Sequence, residues 1–178
     1  MSEREPHPWL GNAEQVPVPS SYHINSATHA DLEKLKITIP PPEDDPEQHE
    51  YCLSLQEKGK SRFFILREGE DIVGCANLYY DWQSPYLPNI QGPYVDGIAV
   101  TESRRGRKLV DKLLHASESE IQSRGGKEIY LGVYMNNQPA IKAYKRNGYQ
   151  EVPGSAHTLP REVDPEQIPE AYFKKSLS

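Results

Sequence analysis

Apolar residues recur along this chain with two different periods, and the second half shows both most clearly. Between residues 108 and 123 they lie three and four positions apart, which predicts an amphipathic helix. Between residues 127 and 134 they alternate with other residues, which predicts a strand. Gly125 and Gly126 lie between the two segments and predict the end of the helix. The apolar positions are Leu109, Val110, Leu113, Leu114 and Ile121 in the helix and Ile129, Leu131 and Val133 in the strand.

Comparable runs over the rest of the chain complete the order of elements. Strands are predicted over residues 22–25, 62–67, 71–80, 94–100, 127–134, 149–152 and 171–177, and helices over 29–36, 47–58, 108–123 and 138–146. Asn137 is the predicted cap of the last helix. The order predicts an α/β fold of the mixed α+β kind, a mixed sheet of about seven strands with about four helices packed on it.

Prolines divide this pattern into segments. Residues 1–20 contain four prolines and little periodicity, so we interpret them as an N-terminal tail that precedes a single domain over residues 21–178. Residues 40–46 are acidic and rich in proline, which predicts an extended loop. Residues 81–93 contain three further prolines, so they are predicted to form a connection rather than a strand.

Length, charge and cysteine content narrow the class of protein. The 178 residues suffice for one domain with a core and are too few for two. A net charge of −6 argues against a nucleic-acid partner and is compatible with a cationic one. The histidines form no HExxH sequence and no cluster with cysteine, so no metal site is predicted. Cys52 and Cys75 form no CxxC pair, and no signal peptide or membrane-spanning run is found, so we expect a cytoplasmic protein without a membrane partner.

A basic turn joins the strand that ends at Val100 to the long helix. At such a junction the unpaired main-chain N–H groups and the positive end of the helix dipole favour an anion, and small residues let a pyrophosphate approach the main chain. Arg105 and Arg107 add positive charge to the turn. An exposed basic turn before an amphipathic helix is the alternative interpretation of the turn taken alone.

A second motif lies downstream, where Asn137, Ala140 and Tyr144 share one face of the predicted helix before Gly148 and Tyr149. Together with Ile98-Ala99-Val100, Arg105-Gly106-Arg107-Lys108-Leu109-Val110 and Leu113-Leu114, this run resembles the two signatures of the GCN5-related N-acetyltransferase (GNAT) family. The resemblance covers roughly residues 94–152. It implies the GNAT fold and the transfer of an acetyl group from acetyl-CoA to a primary amine by direct attack in a ternary complex.

The resemblance also assigns roles to residues. Tyr144 would protonate the departing thiolate of CoA, Asn137 would contact the CoA arm, and Ala140 would permit close packing. The main chain at Ile98 and Val100 would pair with the pantetheine arm where the strand diverges from its neighbour, although a fully paired core strand fits the same residues. From the residues alone, Tyr144 also fits a buried structural tyrosine. The implied set that binds acetyl-CoA is Ile98, Ala99, Val100, Arg105, Gly106, Arg107, Lys108, Leu109, Val110, Asn137, Ala140 and Tyr144.

Two positions of the turn depart from the family pattern. Members usually have glycine where Lys108 stands, and glycine or alanine where Val110 stands. Either Lys108 points outward and adds charge near a phosphate, or the two side chains crowd the turn and weaken CoA binding. The second explanation, in which CoA binding is weakened or abolished, leads to an alternative function. The chain would then be a sensor or interaction module of this fold that binds acyl-CoA weakly or not at all, with weak or no catalysis.

The attacking amine must lose a proton, because an alkylamine has a pKa of about 10.4 and is mostly charged at neutral pH. Asp96 is the predicted base, directly or through water, and Tyr94 occupies the other position where the family often places such a group. A cationic small-molecule or peptide amine is the expected acceptor, bordered by residues 40–47 and 82–86. Transfer to a hydroxyl group, another acyl donor and a homodimer all remain compatible with the sequence.

Overall fold

The computed structural model describes residues 21–161, 164 and 166–178, so the predicted tail over residues 1–20 lies outside the described residues. The single-domain division of the chain stays a prediction. The strands are β1 (Tyr22–Ser26), β2 (Ser61–Glu68), β3 (Asp71–Gln83), β4 (Gln91–Val100), β5 (Glu128–Tyr134), β6 (Gln150–Glu151) and β7 (Glu170–Ser176). The helices are α1 (Leu32–Thr38), which follows a 3₁₀ turn over His29–Asp31, α2 (Gln48–Glu57), α3 (Leu109–Ser123) and α4 (Gln138–Arg146).

The strands form one sheet in the order β1-β2-β3-β4-β5-β7-β6. All neighbours are antiparallel except β4 and β5, which are parallel and are joined through α3. A parallel pair needs a crossover connection, and the amphipathic helix over residues 109–123 provides it. The predicted order of elements and the mixed α/β fold are confirmed.

Strands β4 and β5 diverge soon after they meet. Their pairing consists of Tyr94 with Tyr130 and Val95 with Leu131. The next residues of β4 contain Gly97, whose φ of 59° is a left-handed conformation that interrupts regular strand geometry. The pairing of β4 with β3 also shifts register between Cys75 and Asn77. As a result, the second half of β4 leaves β5 and the sheet opens between them.

Apolar side chains cover both faces of the sheet. Helices α3 and α4 pack on one face, where Leu113, Leu114, Ile141 and Tyr144 join strand residues such as Val95 in the largest core cluster. Helices α1 and α2 pack on the other face, and their cluster includes Leu35 and Leu53. The opening between β4 and β5 therefore connects two layers of helices.

The connection predicted over residues 81–93 is shorter than expected. Strand β3 continues to Gln83 and β4 already begins at Gln91, so residues 84–90 form the actual connection. Pro93 is tolerated inside β4 because the register with β3 shifts next to it, between Tyr79 and Trp82, and no regular ladder bond from Pro93 is required there. The Trp82 ring also stacks on the Tyr94 ring with centroids 3.9 Å apart, which stabilises the extended hairpin.

Candidate functional site

A groove of about 720 Å³ opens where β4 separates from β5, between the start of α3 and the exposed face of α4. It brings together eleven of the twelve residues predicted to bind acetyl-CoA, and Arg107 is the exception. Four further residues line it that the sequence analysis did not select. The lining consists of Ile98, Ala99, Val100, Arg104, Arg105, Gly106, Lys108, Leu109, Val110, Asn137, Pro139, Ala140, Ala143, Tyr144 and Arg146.

The turn before α3 presents unpaired main-chain donors to this groove. Gly106 has a φ of 78° and Lys108, which caps α3, has a φ of 56°. Among the described residues, none accepts a hydrogen bond from the main-chain N–H groups of residues 106–110. These donors lie at the positive end of a 15-residue helix. The turn therefore has the geometry of a phosphate site formed by the main chain.

The basic side chains of the turn divide into paired and unpaired groups. Arg105 and Lys108 are exposed and form no ion pair with any residue that the structure describes. Arg104 donates to the Glu68 carboxylate. Arg107 lies beside the groove, with a guanidinium nitrogen 3.3 Å from the Tyr22 hydroxyl and 3.9 Å from the Glu68 carboxylate. Arg105 and Lys108 are thus the cations that are available to a phosphate group.

The left-handed conformation of Lys108 gives a physical reason for the glycine that resembling sequences have there. A side chain in this conformation costs on the order of 1 to 2 kcal/mol, whereas glycine adopts it freely. The Lys108 side chain is exposed, so it points away from the core and does not fill the turn. This placement agrees with an outward lysine near a phosphate rather than with a crowded turn.

A pair of substitutions at Lys108 separates backbone strain from charge. Lys108→Gly and Lys108→Ala both remove the charge, and alanine keeps the strained conformation. We expect the glycine variant to exceed the alanine variant by about 1 kcal/mol in free energy of unfolding. Both should bind acetyl-CoA about 2- to 5-fold more weakly than wild type, since an exposed charge contributes up to about 1 kcal/mol. Chemical denaturation and calorimetry measure the two effects, and tighter binding by the glycine variant would instead show that Lys108 crowds the turn.

Helix α4 supplies the opposite wall of the groove. The Asn137 side chain caps the helix by accepting a hydrogen bond of 3.2 Å from the Ala140 N–H, as the sequence predicts. Ala140, Ala143 and Tyr144 follow on the face that lines the groove. Because the alanine side chains are small, a ligand can approach the main chain of the helix closely.

Tyr144 is the groove residue with the chemistry of a proton donor. It is 7% exposed, and no hydrogen bond from a described residue contributes to the pKa of its hydroxyl. Burial, with a smaller contribution from the negative charge of Asp96, raises the pKa of Tyr144 to about 12. The hydroxyl is therefore protonated at every physiological pH and is available to donate a hydrogen bond into the groove.

Asp96 lies on the other face of the sheet. Val95 packs in the core under α3, so the adjacent side chain at Asp96 points away from it, beside the bulge at Gly97. Asp96 is accessible to solvent, yet the protein atoms around it desolvate the carboxylate and raise its pKa. Its charge also raises the pKa of Tyr144 on the opposite side of the opening. The opening between β4 and β5 thus places a candidate base and a candidate acid within electrostatic reach of each other.

A second carboxylate, Glu170 at the start of β7, lies on the same face as Asp96. Gly132 makes room for it: a Cβ atom there would lie 2.5 Å from the Glu170 Oε1 and 2.6 Å from the Tyr94 hydroxyl. The other oxygen of Glu170 lies 3.7 Å from the His157 Nε2. Burial raises the pKa of Glu170, His157 opposes that shift, and the charge of Asp96 adds to it. Two carboxylates with raised pKa values therefore flank the opening.

The segments predicted to border the acceptor lie near these carboxylates. The Tyr86 ring is 5.3 Å from the ring of His157, the partner of Glu170, and Trp82 covers Tyr94. Desolvation is the main cause of the raised pKa of Tyr134, which is paired with Glu170 across β5 and β7. The charge of Asp44 in the acidic loop is the smallest of its causes. Aromatic rings and negative charge therefore meet on this face.

Some of the residues that were not predicted from the sequence could have been found from local spacing, whereas others depend on the order of strands in the sheet. Ala143 and Arg146 follow the helical spacing of Ala140 and Tyr144, and Arg104 directly precedes the selected turn, so local periodicity was sufficient to find them. Glu170 had no such signal, because it reaches Asp96 only through the order of β4, β5 and β7 in the sheet. In the described residues no helix is long and apolar enough to cross a membrane, and no cluster of three potential metal ligands occurs.

Comparison with protein families gives one match over most of the chain. The profile described as "Acetyltransferase (GNAT) family" matches residues 28–149, which include the turn before α3 and the whole of α4.

Curated relatives carry acetyltransferase names. A mycothiol acetyltransferase of Corynebacterium glutamicum is 32% identical over 89 residues, which cover 50% of this chain and 28% of that protein. The chain thus matches less than a third of the length of this relative. An N-alpha-acetyltransferase of Sulfurisphaera tokodaii is 29% identical over 140 residues, which cover 74% of this chain and 81% of that protein.

Solved structures share the fold. An N-acetyltransferase of Staphylococcus aureus Mu50 superposes with a TM-score of 0.70 at 17% identity, covering 89% of this chain and 100% of that one. The ribosomal-protein-S18-alanine N-acetyltransferase of Escherichia coli superposes with a TM-score of 0.69 at 18% identity, covering 89% of this chain and 95% of that one. At these identities the superpositions establish the fold alone.

Proposed function

Since this chain belongs to the GNAT acetyltransferase family, we propose that it transfers an acetyl group from acetyl-CoA to a primary amine by direct attack in a ternary complex. The observation that carries the proposal is the opening between β4 and β5. On one side of this opening lies the groove, with its unpaired main-chain donors and Tyr144. Asp96 lies on the other side. A thioester in the groove and an amine beside Asp96 can meet there without a covalent enzyme intermediate.

Acetyl-CoA binding follows from the two walls of the groove. The main-chain donors of residues 106–110 hold the pyrophosphate, with Arg105 and Lys108 as counter-charges. The free edge of β4 at Ile98 and Val100 pairs with the amide groups of the pantetheine arm, as an added strand would. Leu109 and Val110 contribute apolar contacts, and Asn137 and Ala140 bound the arm from α4. Ala99 lines the groove with its main chain, because its side chain packs on the opposite face of the sheet.

Tyr144 assists the departure of the CoA sulfur. As the C–S bond breaks, the phenol donates a hydrogen bond to the developing thiolate and then its proton. A pKa of about 12 exceeds that of an ordinary thiol, which is about 8.5, but burial raises thiol pKa values as well. Within this protein, burial raises the pKa of Cys75 to about 12. A thiolate beside the buried Tyr144 hydroxyl is less well solvated than in bulk water, which raises the thiol pKa toward that of the phenol and favours the transfer.

Asp96 receives the proton of the attacking amine, directly or through water. Its raised pKa brings the carboxylate closer to the pKa of an ammonium group than an ordinary aspartate is, which favours the transfer. Tyr94 is the weaker candidate, because burial raises its pKa well above the ordinary value and keeps it protonated.

A cationic acceptor fits the charge of this face. Asp96 and Glu170 lie at the opening, and the overall charge of the chain is −6. The relatives named N-alpha-acetyltransferases favour a peptide α-amine as the acceptor to be tested first, beside small-molecule amines. We propose a cytoplasmic location, which the two free and buried thiols of Cys52 and Cys75 support, and we propose no nucleic-acid or membrane partner.

Initial-rate kinetics test the proposal. Release of free CoA thiol is measured while acetyl-CoA and an amine are varied together, over a panel of peptide α-amines, lysine peptides, polyamines and small amines. Direct attack predicts intersecting double-reciprocal lines for at least one amine. Parallel lines would indicate an acetylated enzyme and exclude the ternary complex.

Lys108 and Val110 line the groove at positions where the family usually has small residues, and this difference motivates a second candidate function. It is a sensor or interaction module of the same fold that binds acyl-CoA weakly or not at all, with weak or no catalysis. Calorimetric titration with acetyl-CoA, combined with the thiol assay, separates the two. Saturable binding without thiol release for any amine in the panel supports the module. No heat and no thermal shift at millimolar acetyl-CoA also favours the module and contradicts the acetyltransferase, whereas thiol release with any amine contradicts the module.

Glu170→Gln tests whether the second carboxylate selects a cation. We expect the KM for a cationic acceptor to rise about 10-fold, because a hydrogen bond to a charged group contributes about 1.5 to 3 kcal/mol, while kcat changes less than about threefold. Glu128→Gln is the matched control, since Glu128 lies at the far end of the same strand pair and interacts with Lys174. An unchanged KM in Glu170→Gln would remove Glu170 from the acceptor site.

A further inference from the structure

Asn77 is a buried polar residue that the proposed chemistry does not use. It lies on β3 directly opposite Asp96 on β4, so the two side chains share one face of the sheet. It is 2% exposed, and no described residue lies within 3.5 Å and in hydrogen-bond geometry of its Oδ1 or Nδ2, although the Tyr79 hydroxyl is close enough to interact with the amide. An unpaired buried amide costs about 1 to 3 kcal/mol, so such a group calls for a partner beyond the side chains around it.

A small cavity of about 20 Å³ adjoins both residues. That volume accommodates a single water molecule, which needs two or more polar partners to be held. Polar groups on the lining include Asn77, Asp96, Tyr79, Gln48 and His49. The His49 Nε2 is already 2.8 Å from the Ile39 carbonyl oxygen. Asn77 and Asp96 are opposite each other on β3 and β4, so a water molecule in this cavity can be held between them, beside the Tyr79 hydroxyl.

Among the residues that the structure describes, Asp96 is the only carboxylate on the lining of this cavity, and no lysine or arginine lines it. Burial raises the pKa values of the Cys52, Cys75 and Tyr79 side chains, so these groups are neutral near pH 7. Four titratable groups line the cavity with Asp96: His49 and Cys52 from α2, and Cys75 and Tyr79 from β3. Three more interact with its charge from outside the cavity: Tyr94 from β4, Tyr144 from α4 and Glu170 from β7. The ionised carboxylate of Asp96 can therefore be stabilised from within the cavity only by a neutral hydrogen-bond donor.

We propose that Asn77 is a positioning residue for the acetyl-transfer reaction: it holds a water molecule in this cavity that donates a hydrogen bond to Asp96 and orients the carboxylate toward the acceptor amine. The proposal rests on the proposed function. The Asn77 amide donates to the water oxygen, and one water hydrogen bonds to one oxygen of Asp96. The other oxygen takes the proton as the N–H bond of the acceptor breaks, and Asn77 and the water keep their own protons.

The hydrogen bond stabilises the ionised form of Asp96, so its loss has a defined sign. Without it the carboxylate is protonated at higher pH, and the acid limb of the pH–rate profile moves upward. A hydrogen bond to a charged group corresponds to a shift of about one pKa unit. A merely structural asparagine would alter stability without moving that limb.

The experiment measures Asp96 directly, by ¹³C NMR titration of its carboxyl carbon, and measures the pH dependence of acetyl transfer. The variants are Asn77→Leu, which has similar volume and no polar group, and the size-matched pair Asn77→Ala and Asn77→Ser. We expect a rise of about one unit in the pKa of Asp96 for leucine and alanine and a smaller rise for serine, whose hydroxyl still holds water. The Kd for acetyl-CoA should stay unchanged.

The NMR titration does not require acetyl transfer, so it can contradict the role of Asn77 independently of the proposed acetyltransferase function. An Asp96 pKa that is equal in wild type and in both apolar variants overturns the link between Asn77 and Asp96, whatever the activity. If the leucine variant does not fold, the alanine and serine pair gives the same comparison. A shifted pKa in a protein that acetylates no amine overturns the proposed function and the catalytic role of Asn77 with it.

Discussion

Replacing Tyr144 with phenylalanine is expected to lower kcat for acetyl transfer by about 10²- to 10⁴-fold, the usual contribution of a positioned proton donor. The ring stays in place and only the hydroxyl is lost, so the Kd for acetyl-CoA should change less than about threefold. Thiol release and calorimetry measure the two quantities. The expected split between them follows from the position of Tyr144, which lines the groove but lies away from the phosphate turn.

Tyr149→Phe is the matched control for this prediction. Tyr149 is also a buried tyrosine, its ring lies 6.3 Å from that of Tyr144, and it does not line the groove. Removing its hydroxyl should leave kcat within about twofold of wild type, since the group is remote from the proposed chemistry. Equal rates in wild type and Tyr144→Phe would show that Tyr144 is a structural tyrosine.

Asp96→Asn is expected to lower kcat by about 10²- to 10⁴-fold at neutral pH, because the amide cannot accept the amine proton. In wild type the pKa of Asp96 is raised, so the active carboxylate is lost as pH falls through that raised value, and activity declines on the acid side. The pH–rate profile of the asparagine variant should lack this acid limb. Its kcat should rise toward the wild-type value at high pH, where the amine is already neutral. The pH–rate profile measures both effects.

Stability provides the control for Asp96→Asn. A carboxyl group with a raised pKa in the folded state destabilises the fold once pH exceeds its unfolded pKa, so removing the charge should keep or raise the unfolding temperature at neutral pH. Asp81→Asn, at an exposed position on β3, should retain wild-type activity. A variant at position 96 with a wild-type pH profile would show that another group serves as the base.

Local periodicity is the reason that much of the groove could be predicted from sequence. Asn137, Ala140 and Tyr144 lie on one face of α4 because their spacing matches the helical period, and no tertiary information is needed. The turn before α3 was similarly accessible, since a strand followed at once by an amphipathic helix fixes where unpaired N–H groups occur. The left-handed conformation of Lys108 was not accessible, because a lysine gives no sign of it.

The acceptor face could not be predicted in the same way, because it depends on strand pairing. Glu170 comes near Asp96 only because β7 pairs with β5 and Gly132 leaves space above that strand. Asn77 faces Asp96 only because the register of β3 and β4 shifts near Gly97, which a sequence pattern of period two does not reveal. Contacts of this kind are set by the whole sheet and not by neighbouring residues.

Direct acetyl transfer is tested by following an isotope-labelled acetyl group from acetyl-CoA by mass spectrometry, with wild-type protein and the panel of amines. Direct transfer predicts labelled acetyl on an amine in an amount equal to the CoA thiol released, with no label on the protein. Thiol release without an acetylated amine, or label retained on the protein, would contradict direct transfer at the opening between β4 and β5.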